Sequence, residues 1–434
     1  MKIQQVDIRL RAFLTMVLFL LAGLTFVACD KGDEPEPDNG DKALNGEFLN
    51  LMKDWYFWYD QIPDIDPMNY PTPVEVLEAI RYRPLDRWSY ITTWKEFESY
   101  YLESKMIGYG FGSGFDASGK LRVLFVYRTT KMYEEGVRRS WIIEAVNGTQ
   151  VTAGMNINQM LGDNEVGVSN SFRFRKPDGT TVDLTVAKEE LVMNTVLHYE
   201  VKEVNGSKVG YLVLQGFTTP TMKELEEVFD LFVQAGIEEL ILDLRYNGGG
   251  QTNVANFLSS MIGGNQVDGQ IFTRYMFNDK QPQANRADTF QLVTRKLNLD
   301  RLLTIGTRNT ASASEMVING LRPYMPVVIF GTATYGKPMG MTVYKDDGDR
   351  YAFVPVTFKT ANADGQGDFF DGIPVDAPAP DGIDRMFGDP LEESLKAALY
   401  YIETGSFPDA PVAKVEFVQP RDRMRGLREI IEAH

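Results

Sequence analysis

Two residues of this 434-residue chain, Ser312 and Lys337, could together perform nucleophilic chemistry. A serine hydroxyl is a weak nucleophile until a neighbouring base takes its proton, and the usual base is histidine. The two histidines are His198, inside an expected strand, and His434, the last residue. A lysine can replace histidine where burial lowers the pKa of its amine. Lys337 is the candidate, because its sequence neighbours are mostly apolar and no acid stands between residues 315 and 346.

The elements around these residues can be predicted from the apolar pattern. Met316, Val317, Ile318 and Leu321 have helical spacing, so a helix should begin near Ser312 and place the serine at its N-terminus. Residues 327–330 form a β-branched and aromatic run typical of a buried strand, and a loop at 331–336 leads to the lysine. The local pattern leaves a second explanation open, because Ser312 and Glu315 also fit a capping box without any catalytic role.

Three motifs in one order resemble the active-site region of the C-terminal processing (tail-specific) serine peptidases. They are Asp-Leu-Arg-Tyr-Asn-Gly-Gly-Gly at 243–250, Thr-Ala-Ser-Ala-Ser-Glu at 310–315 and Thr-Tyr-Gly-Lys at 334–337, with 25 positions between serine and lysine. The resemblance implies Ser312 as nucleophile and Lys337 as general base, and Glu315 matches the family's acid near the dyad. Pro338 is a departure, because the family commonly has glycine after the lysine.

The glycine-rich turn at 247–250 can bring backbone amides close to a ligand. A glycine amide together with the amide of Ala313 would make an oxyanion hole, and Gly249 and Gly250 are both candidates. A tight turn that needs positive φ is the structural alternative.

The order of elements predicts the fold class. A strand at 209–217, a helix at 222–235 and a strand at 239–244 form a strand-helix-strand unit, which predicts an α/β core with parallel strands. A further strand is expected at 351–358. The resemblance implies a crotonase-like, tail-specific protease core, and the catalytic domain is predicted at 193–410. A small helical region is predicted at 44–105, where the aromatic residues are interpreted as core in preference to a carbohydrate platform.

Short strands and turns between 106 and 192 resemble a PDZ domain. Its predicted peptide-binding loop consists of five residues with glycine-rich backbone, next to an exposed strand edge: Gly108, Tyr109, Gly110, Phe111 and Gly112. Free amides there could hold a peptide carboxylate while an extended peptide adds as a strand. A glycine-rich hairpin is the alternative, and residues 138–141 replace the Gly-Asp pair that is usual in the family.

The N-terminus has the layout of a secretory signal. Residues 1–28 carry basic residues followed by an apolar run, and the single cysteine, Cys29, follows Ala28 at the end of that run. This resembles a bacterial lipobox, which implies lipid on Cys29, a membrane anchor and a place in the cell envelope on the outer membrane, on the periplasmic or the outer face. Residues 29–43 are acidic and are predicted to be an extended tether. An uncleaved signal anchor is the alternative.

The net charge and the absence of certain motifs limit the classes of function that the chain could have. The net charge of −16 argues against nucleic acid as a partner. The sequence has no zinc-like cluster and no Ser-x-x-Lys or Gly-x-Ser-x-Gly motif, so we expect neither a metal nor a cofactor. The chain is therefore predicted to be a serine endopeptidase with protein or peptide substrates; the alternative is a non-catalytic, peptide-binding surface lipoprotein. Residues 411–434 and the oligomeric state receive no assignment.

Overall fold

The structure, a computed structural model, describes residues 39–409. The α-helices are α1 Asn39–Trp55, α2 Pro73–Ile80, α3 Trp94–Phe97, α4 Lys131–Glu134, α5 Ile157–Leu161, α6 Thr221–Ala235, α7 Thr252–Gly263, α8 Ala313–Leu321 and α9 Glu393–Thr404. The strands are β1 Tyr90–Thr93, β2 Lys105–Gly108, β3 Phe111–Phe115, β4 Leu121–Val126, β5 Ile142–Val146, β6 Thr149–Gln150, β7 Ser169–Arg175, β8 Thr181–Ala187, β9 Glu189–Val192, β10 Val196–Val204, β11 Ser207–Leu214, β12 Glu239–Asp243, β13 Ile271–Phe277, β14 Arg286–Thr289, β15 Leu302–Gly306, β16 Val327–Gly331, β17 Met339–Met341, β18 Tyr344–Lys345, β19 Tyr351–Val354, β20 Val356–Ala361 and β21 Ala377–Pro378.

The predicted catalytic region, residues 193–410, is built on a six-stranded sheet in the order β10-β11-β12-β15-β16-β21. All neighbours from β11 to β21 are parallel, and β10 pairs with β11 as an antiparallel hairpin at one edge. The middle strands are buried on both faces and correspondingly rich in Val, Ile and Leu. The predicted α/β core with a parallel sheet is therefore present, with one antiparallel strand added.

A second sheet, in the order β14-β13-β20-β17, stands beside the central sheet. The strand expected at 351–358 is two strands, β19 and β20, which belong to different sheets. The chain passes from one sheet to the other at Pro355, because proline has no N–H to continue a ladder.

The N-terminal region differs from its prediction in two ways. Helix α1 begins at Asn39, within the segment predicted as tether, because the first turn of a helix is polar and carries no apolar signal. The region is also not purely helical, since β1 pairs with β19 of the catalytic region. Its apolar and aromatic residues form a core with Met339, Tyr344 and Phe353. The interpretation of these aromatics as core is consistent with this packing.

Residues 106–192 form a separate sheet in the order β3-β4-β5-β7-β8, with β6 paired to β5. β2 and β9, the first and the last strands of this region, pair with each other in a separate two-stranded sheet. β3 stands at the end of the strand order, as the predicted edge requires. Helix α5 is short, a little more than one turn.

A buried ionic network joins this region to the catalytic region. Arg139, on the segment that replaces the expected Gly-Asp pair, donates to Asp381 (2.8 Å) and to the Tyr246 hydroxyl (2.6 Å). Asp381 also accepts from the fully buried Arg245 at 2.7 Å. Arg245 pairs in turn with Asp243 and Glu392. The residues of the 243–250 motif therefore hold the two regions together as well as forming the glycine turn.

Candidate active site

Three loops converge at one edge of the central sheet. The glycine turn follows β12, the segment with Ser312 follows β15, and the segment with Lys337 follows β16. These strands are parallel neighbours, so their carboxyl ends lie side by side. This is the edge at which open α/β sheets bind ligands. The structure thus brings together the three motifs that the sequence analysis selected.

Ser312 has an unusual backbone conformation at the N-cap of α8. Its φ of 56° and ψ of −114° lie in a region that residues with a side chain rarely adopt. Such strain persists only where surrounding contacts impose it, and it is concentrated at functional sites. Here the strain turns the chain sharply between β15 and α8, so that the serine stands at the point where the helix begins.

A hydrogen bond to Glu315 holds the backbone of Ser312 in that conformation. Its fully buried carboxylate accepts the backbone N–H of Ser312 (2.9 Å) and of Lys337 (2.8 Å) on the same oxygen. The other oxygen accepts Thr334 Oγ1 (2.6 Å) and the Gly336 N–H (2.7 Å). Burial raises the pKa of Glu315, and the four hydrogen bonds work against that rise. One carboxylate therefore ties the nucleophile segment to the lysine segment, which is more than a capping box requires.

Lys337 lies in a largely apolar pocket. Its Nζ is 3.9 Å from Met341 Sδ and 6.0 Å from the centre of the Trp88 ring. Burial lowers the pKa of Lys337 to about 8, although the negative charges of Asp86 and Glu315 act in the opposite direction. Burial was the predicted cause. No acid stands close to Lys337 in the sequence, but the fold brings Asp86 of the N-terminal region near enough for its charge to act on the amine.

Sequence reasoning missed Asp86 and Trp88 entirely. They lie about 250 positions before Lys337, and no pattern along the chain links the two segments. The available signal was the density of tryptophan and tyrosine in the N-terminal region, which indicated a core but not what that core would pack against. His198 lies in β10, which is separated from β15 by two strands of the sheet, and contacts Glu200.

The glycine turn touches the nucleophile segment directly. A side chain on Gly249 would come within 2.8 Å of Ala311 O and of Ser312 Cβ, so only glycine fits. The Gly249 N–H donates to Asn247 Oδ1 at 2.9 Å and is therefore already used. Gly250 forms a parallel bridge with Phe217 in which the neighbouring residues make the bonds, so its own N–H points away from Phe217. The Ala313 N–H is in the first turn of α8, where amides have no helical acceptor.

Two further hydrogen bonds hold the glycine turn against α8. The backbone O of Asn247 accepts the Ala311 N–H at 3.1 Å and the Ser314 hydroxyl at 3.0 Å. Ser314 is fully buried. Its hydroxyl therefore has a structural partner, in contrast to the strained Ser312 at the start of the helix.

The predicted peptide-binding loop is shorter than expected. Gly108 is paired in β2, while Phe111 and Gly112 are paired in β3. Only Tyr109 and Gly110 lie between strands. The Tyr109 ring is buried and its hydroxyl donates to Val168 O at 3.1 Å. The connection between β2 and β3 is thus limited to two residues, because strand pairing extends further than the glycine pattern indicated. The Gly110 carbonyl in this connection accepts the Tyr127 N–H at 2.8 Å.

Other predicted features lie partly or wholly outside the described residues. Cys29, the signal segment 1–28, most of the tether and the tail 411–434 are among them. Within residues 39–409, no helix is both long and apolar enough to cross a membrane. The same part of the chain has no group of three or more His, Cys, Asp or Glu side chains that could hold a metal.

Comparison with protein-family models assigns the domain that carries these loops. Residues 208–378 match the model of peptidase family S41, and residues 43–90 match the model of the peptidase S41 N-terminal domain. Residues 208–378, the S41 region, are therefore similar to this peptidase family. Ser312, Lys337 and the glycine turn all lie inside this S41 region, and Asp86 and Trp88 lie inside the N-terminal match.

Similarity to individual proteins points the same way. The carboxy-terminal processing protease CtpA of Bacillus subtilis is 25% identical over 253 residues, which are 57% of this chain and 51% of CtpA. CtpB of the same bacterium is 26% identical over 262 residues, 56% of this chain and 52% of CtpB. The chain thus spans about half the length of the curated relatives it matches.

Solved structures extend the similarity beyond the S41 region. A Bacteroides fragilis protein assigned as an S41 protease has a TM-score of 0.69 and 25% identity, covering 86% of this chain and 99% of that one. A photosystem II D1 C-terminal processing protease has a TM-score of 0.50 and 20% identity, covering 79% and 94%, and shows likeness of fold alone. Together with the S41 match, these comparisons support the serine peptidase class at the level of the family.

Proposed function

We propose that this protein is a serine endopeptidase in which Ser312 is the nucleophile and Lys337 the general base. The observation that carries the proposal is the shared carboxylate of Glu315, which binds the backbone N–H of both residues. A second supporting observation is the lowered pKa of Lys337, about 8. A general base must be partly neutral at the pH at which the enzyme works. No other serine and lysine in the S41 region combine a shared carboxylate acceptor and a lowered lysine pKa with the motif order of the family.

The reaction follows from these groups. The neutral amine of Lys337 takes the proton of the Ser312 hydroxyl as the oxygen attacks the carbonyl carbon of a peptide bond. The resulting oxyanion accepts hydrogen bonds from the amides of Ala313 and Gly250, the pair that remains after Gly249 donates to Asn247. The ammonium then returns the proton to the leaving amine, and an acyl-enzyme forms. Water, deprotonated by the same lysine, hydrolyses the ester and releases the second product.

The substrates and their recognition belong to the same proposal. Residues 106–192 act as a PDZ-like domain that receives the C-terminus of a protein substrate at the edge of β3. The support is the position of β3 at the end of its sheet and the similarity to relatives that are carboxy-terminal processing proteases. Lipid on Cys29 anchors the enzyme to the outer membrane, and protein substrates are cleaved at that surface.

Cleavage of an unstructured protein tests the proposed activity. The purified protein, its Ser312→Ala variant and its Ser314→Ala variant are incubated with casein, and the fragments are followed by mass spectrometry. We expect fragments from the wild type and from Ser314→Ala, and none from Ser312→Ala. Binding of peptides by wild type and Ser312→Ala alike, with no cleavage by either, would replace the peptidase with the non-catalytic, peptide-binding lipoprotein.

A further inference from the structure

The pocket of Lys337 is completed by a residue from outside the S41 region. The Trp88 ring lies 6.0 Å from Lys337 Nζ, and the tryptophan is only 4% exposed. Trp88 packs in the N-terminal core together with Met339, which follows the lysine by two positions. The ring therefore forms part of the wall of the Lys337 pocket.

Two contacts keep the ring in place. Asp86 Oδ1 accepts the backbone N–H of Trp88 and of Ser89, both at 2.9 Å. The Arg87 guanidinium lies 5.4 Å from the Trp88 ring and 5.4 Å from the Tyr335 ring, so it rests against both aromatic side chains. Asp86 is itself held by the Tyr56 hydroxyl at 2.7 Å. The turn 86–89 is thus a fixed element, and the position of the ring is determined by it.

The Trp88 ring has two opposed effects on the lysine. An aromatic face attracts an ammonium ion, but at about 6 Å this attraction is at the limit of its range. Exclusion of water acts in the opposite direction, because it disfavours the charged form. The charged groups around the amine are Asp86 and Glu315, which favour the ammonium form, and Arg87, whose guanidinium lies over the Trp88 ring. Since the pKa is lowered despite both carboxylates, exclusion of water is the dominant effect.

We propose that Trp88 is a positioning residue for the general base: its ring keeps water away from the Lys337 amine and so keeps that amine competent to accept a proton. The inference rests on the proposed function of Lys337. It assigns to the N-terminal region a part in catalysis, because Trp88 lies outside the S41 region.

Asp86 provides an internal contrast. Its carboxylate favours the ammonium form of Lys337, whereas the Trp88 ring disfavours it. Asp86→Asn keeps an oxygen that can accept the N–H groups of Trp88 and Ser89, but it removes the negative charge. Substitution of two residues in the same turn should therefore move the protonation of one lysine in opposite directions. A merely structural role of the turn would not produce opposite shifts.

The experiment measures the protonation of Lys337 without relying on turnover. The purified protein is treated with cyanate, which carbamoylates neutral amines, at pH values from 6 to 11, and the modification of Lys337 is quantified by peptide mass spectrometry. The variants are Trp88→Leu, which leaves apolar bulk in the core, Trp88→Phe and Asp86→Asn. Circular dichroism establishes that each is folded, and casein cleavage is recorded over the same pH range.

We expect the midpoint for Trp88→Leu to rise by about one pH unit, that for Trp88→Phe to stay near the wild type, and that for Asp86→Asn to fall. The rising limb of the cleavage profile should move by the same amounts. Folded Trp88→Leu with an unchanged or lowered midpoint would overturn the inference. A wild type that cleaves nothing, but whose Lys337 midpoints shift as expected, would remove the peptidase and retain the effect of Trp88 on the lysine.

Discussion

At the scale of single residues, the site depends on a lysine that is kept in an unfavourable environment. The unfolded chain would have Lys337 with its ordinary pKa of 10.5, and folding lowers that pKa to about 8. Between these values the unfolded state binds more protons than the folded state, so stability rises with pH in that window. Below about pH 8 the folded protein carries the full cost of the buried amine. Function is thus obtained at the expense of stability.

Replacement of this lysine should therefore stabilise the fold. Lys337→Met removes the amine with little change in volume, and we expect a gain in the free energy of unfolding of at most about 3 kcal/mol at pH 7. The gain should vanish above about pH 10.5, where both states are neutral. Casein cleavage should be lost at every pH.

Urea denaturation at pH 7 and at pH 10.5 measures the difference. Lys223→Met is the matched control, because Lys223 is an exposed lysine of α6 and its replacement changes the net charge equally. A Lys337→Met variant no more stable than Lys223→Met at pH 7 would show that the amine is not under strain.

At the scale of elements, Glu315 joins the start of α8 to the loop after β16. It occupies the third position of the helix and is fully buried. A carboxylate can accept on both oxygens at once, and the four donors around it are all N–H or O–H groups. The geometry of nucleophile and base therefore depends on an element junction rather than on a direct bond between the two side chains.

Glu315→Gln should break this junction on one side. The amide nitrogen of glutamine cannot accept a hydrogen bond. It would face either the N–H groups of Ser312 and Lys337, or the Thr334 hydroxyl and the Gly336 N–H. Leaving buried donors unpaired costs about 1–3 kcal/mol each. We expect the free energy of unfolding to fall by about 2–4 kcal/mol and cleavage to fall at least tenfold, measured by urea denaturation and the casein assay.

Glu75→Gln is the control, because Glu75 holds the same third position in the capping box of α2 but is exposed. It should change stability and activity little. If Glu315→Gln behaved like Glu75→Gln, the junction would not organise the site.

The edge of β3 gives a second prediction at this scale. If the amides of Tyr109 and Gly110 hold a carboxylate, peptides with a free apolar C-terminus should be cleaved faster than the same peptides with a C-terminal amide. Matched pairs of fluorogenic peptides measure the ratio of kcat/KM, and we expect at least a fivefold preference, about 1 kcal/mol. Equal rates would leave residues 106–192 as a spacer or lid.

The sequence predicted elements well where one segment carries its own signal. The strand predicted at 239–244 ends only one residue earlier, and the helix predicted at 222–235 begins only one residue earlier, because apolar runs and helical apolar spacing are local information. The dyad could be selected because its motifs have a fixed order along the chain. The contribution of Asp86 and Trp88 could not, since packing between segments about 250 positions apart leaves no periodic trace.

The strand pairing and the ion pair of residues 106–192 could not be predicted from the sequence either. Whether Gly108 and Gly112 were free depended on their partners Glu189 and Phe125, which the glycine pattern does not reveal. The unusual Arg139 was visible as a departure from the family, but its role required the position of Asp381, which lies 242 residues away.

At the scale of the whole molecule, the three regions are packed together by specific contacts. The N-terminal region adds β1 to β19, and residues 106–192 are held by the hydrogen bonds of Arg139 to Asp381 and Tyr246. Breaking a buried ion pair by removing one partner typically costs 3–5 kcal/mol, so these contacts are strong constraints on how the regions move. The proposed peptide binding and cleavage would therefore take place on a connected framework.

The attachment of this framework to a membrane is a prediction about Cys29. With lipid on its thiol, the mature protein should begin at Cys29 and partition into the membrane fraction. Cys29→Ser should release it, because the acyl chains supply the apolar surface that holds the protein in the bilayer. Fractionation at high salt, with mass spectrometry of the N-terminal peptide, measures both properties. A Cys29→Ser protein that stays in the membrane at high salt would indicate an uncleaved signal anchor.

The most direct measurement of the central claim is the site and rate of covalent labelling by a fluorophosphonate, which reacts with activated serines. We predict that peptide mass spectrometry will find the label on Ser312, that the rate will rise as the pH passes about 8, and that Lys337→Arg will reduce it by at least a hundredfold, because a guanidinium cannot take the proton. Ser314→Ala should still be labelled. A label on Ser314, or equal labelling of wild type and Lys337→Arg, would contradict the assignment of the dyad.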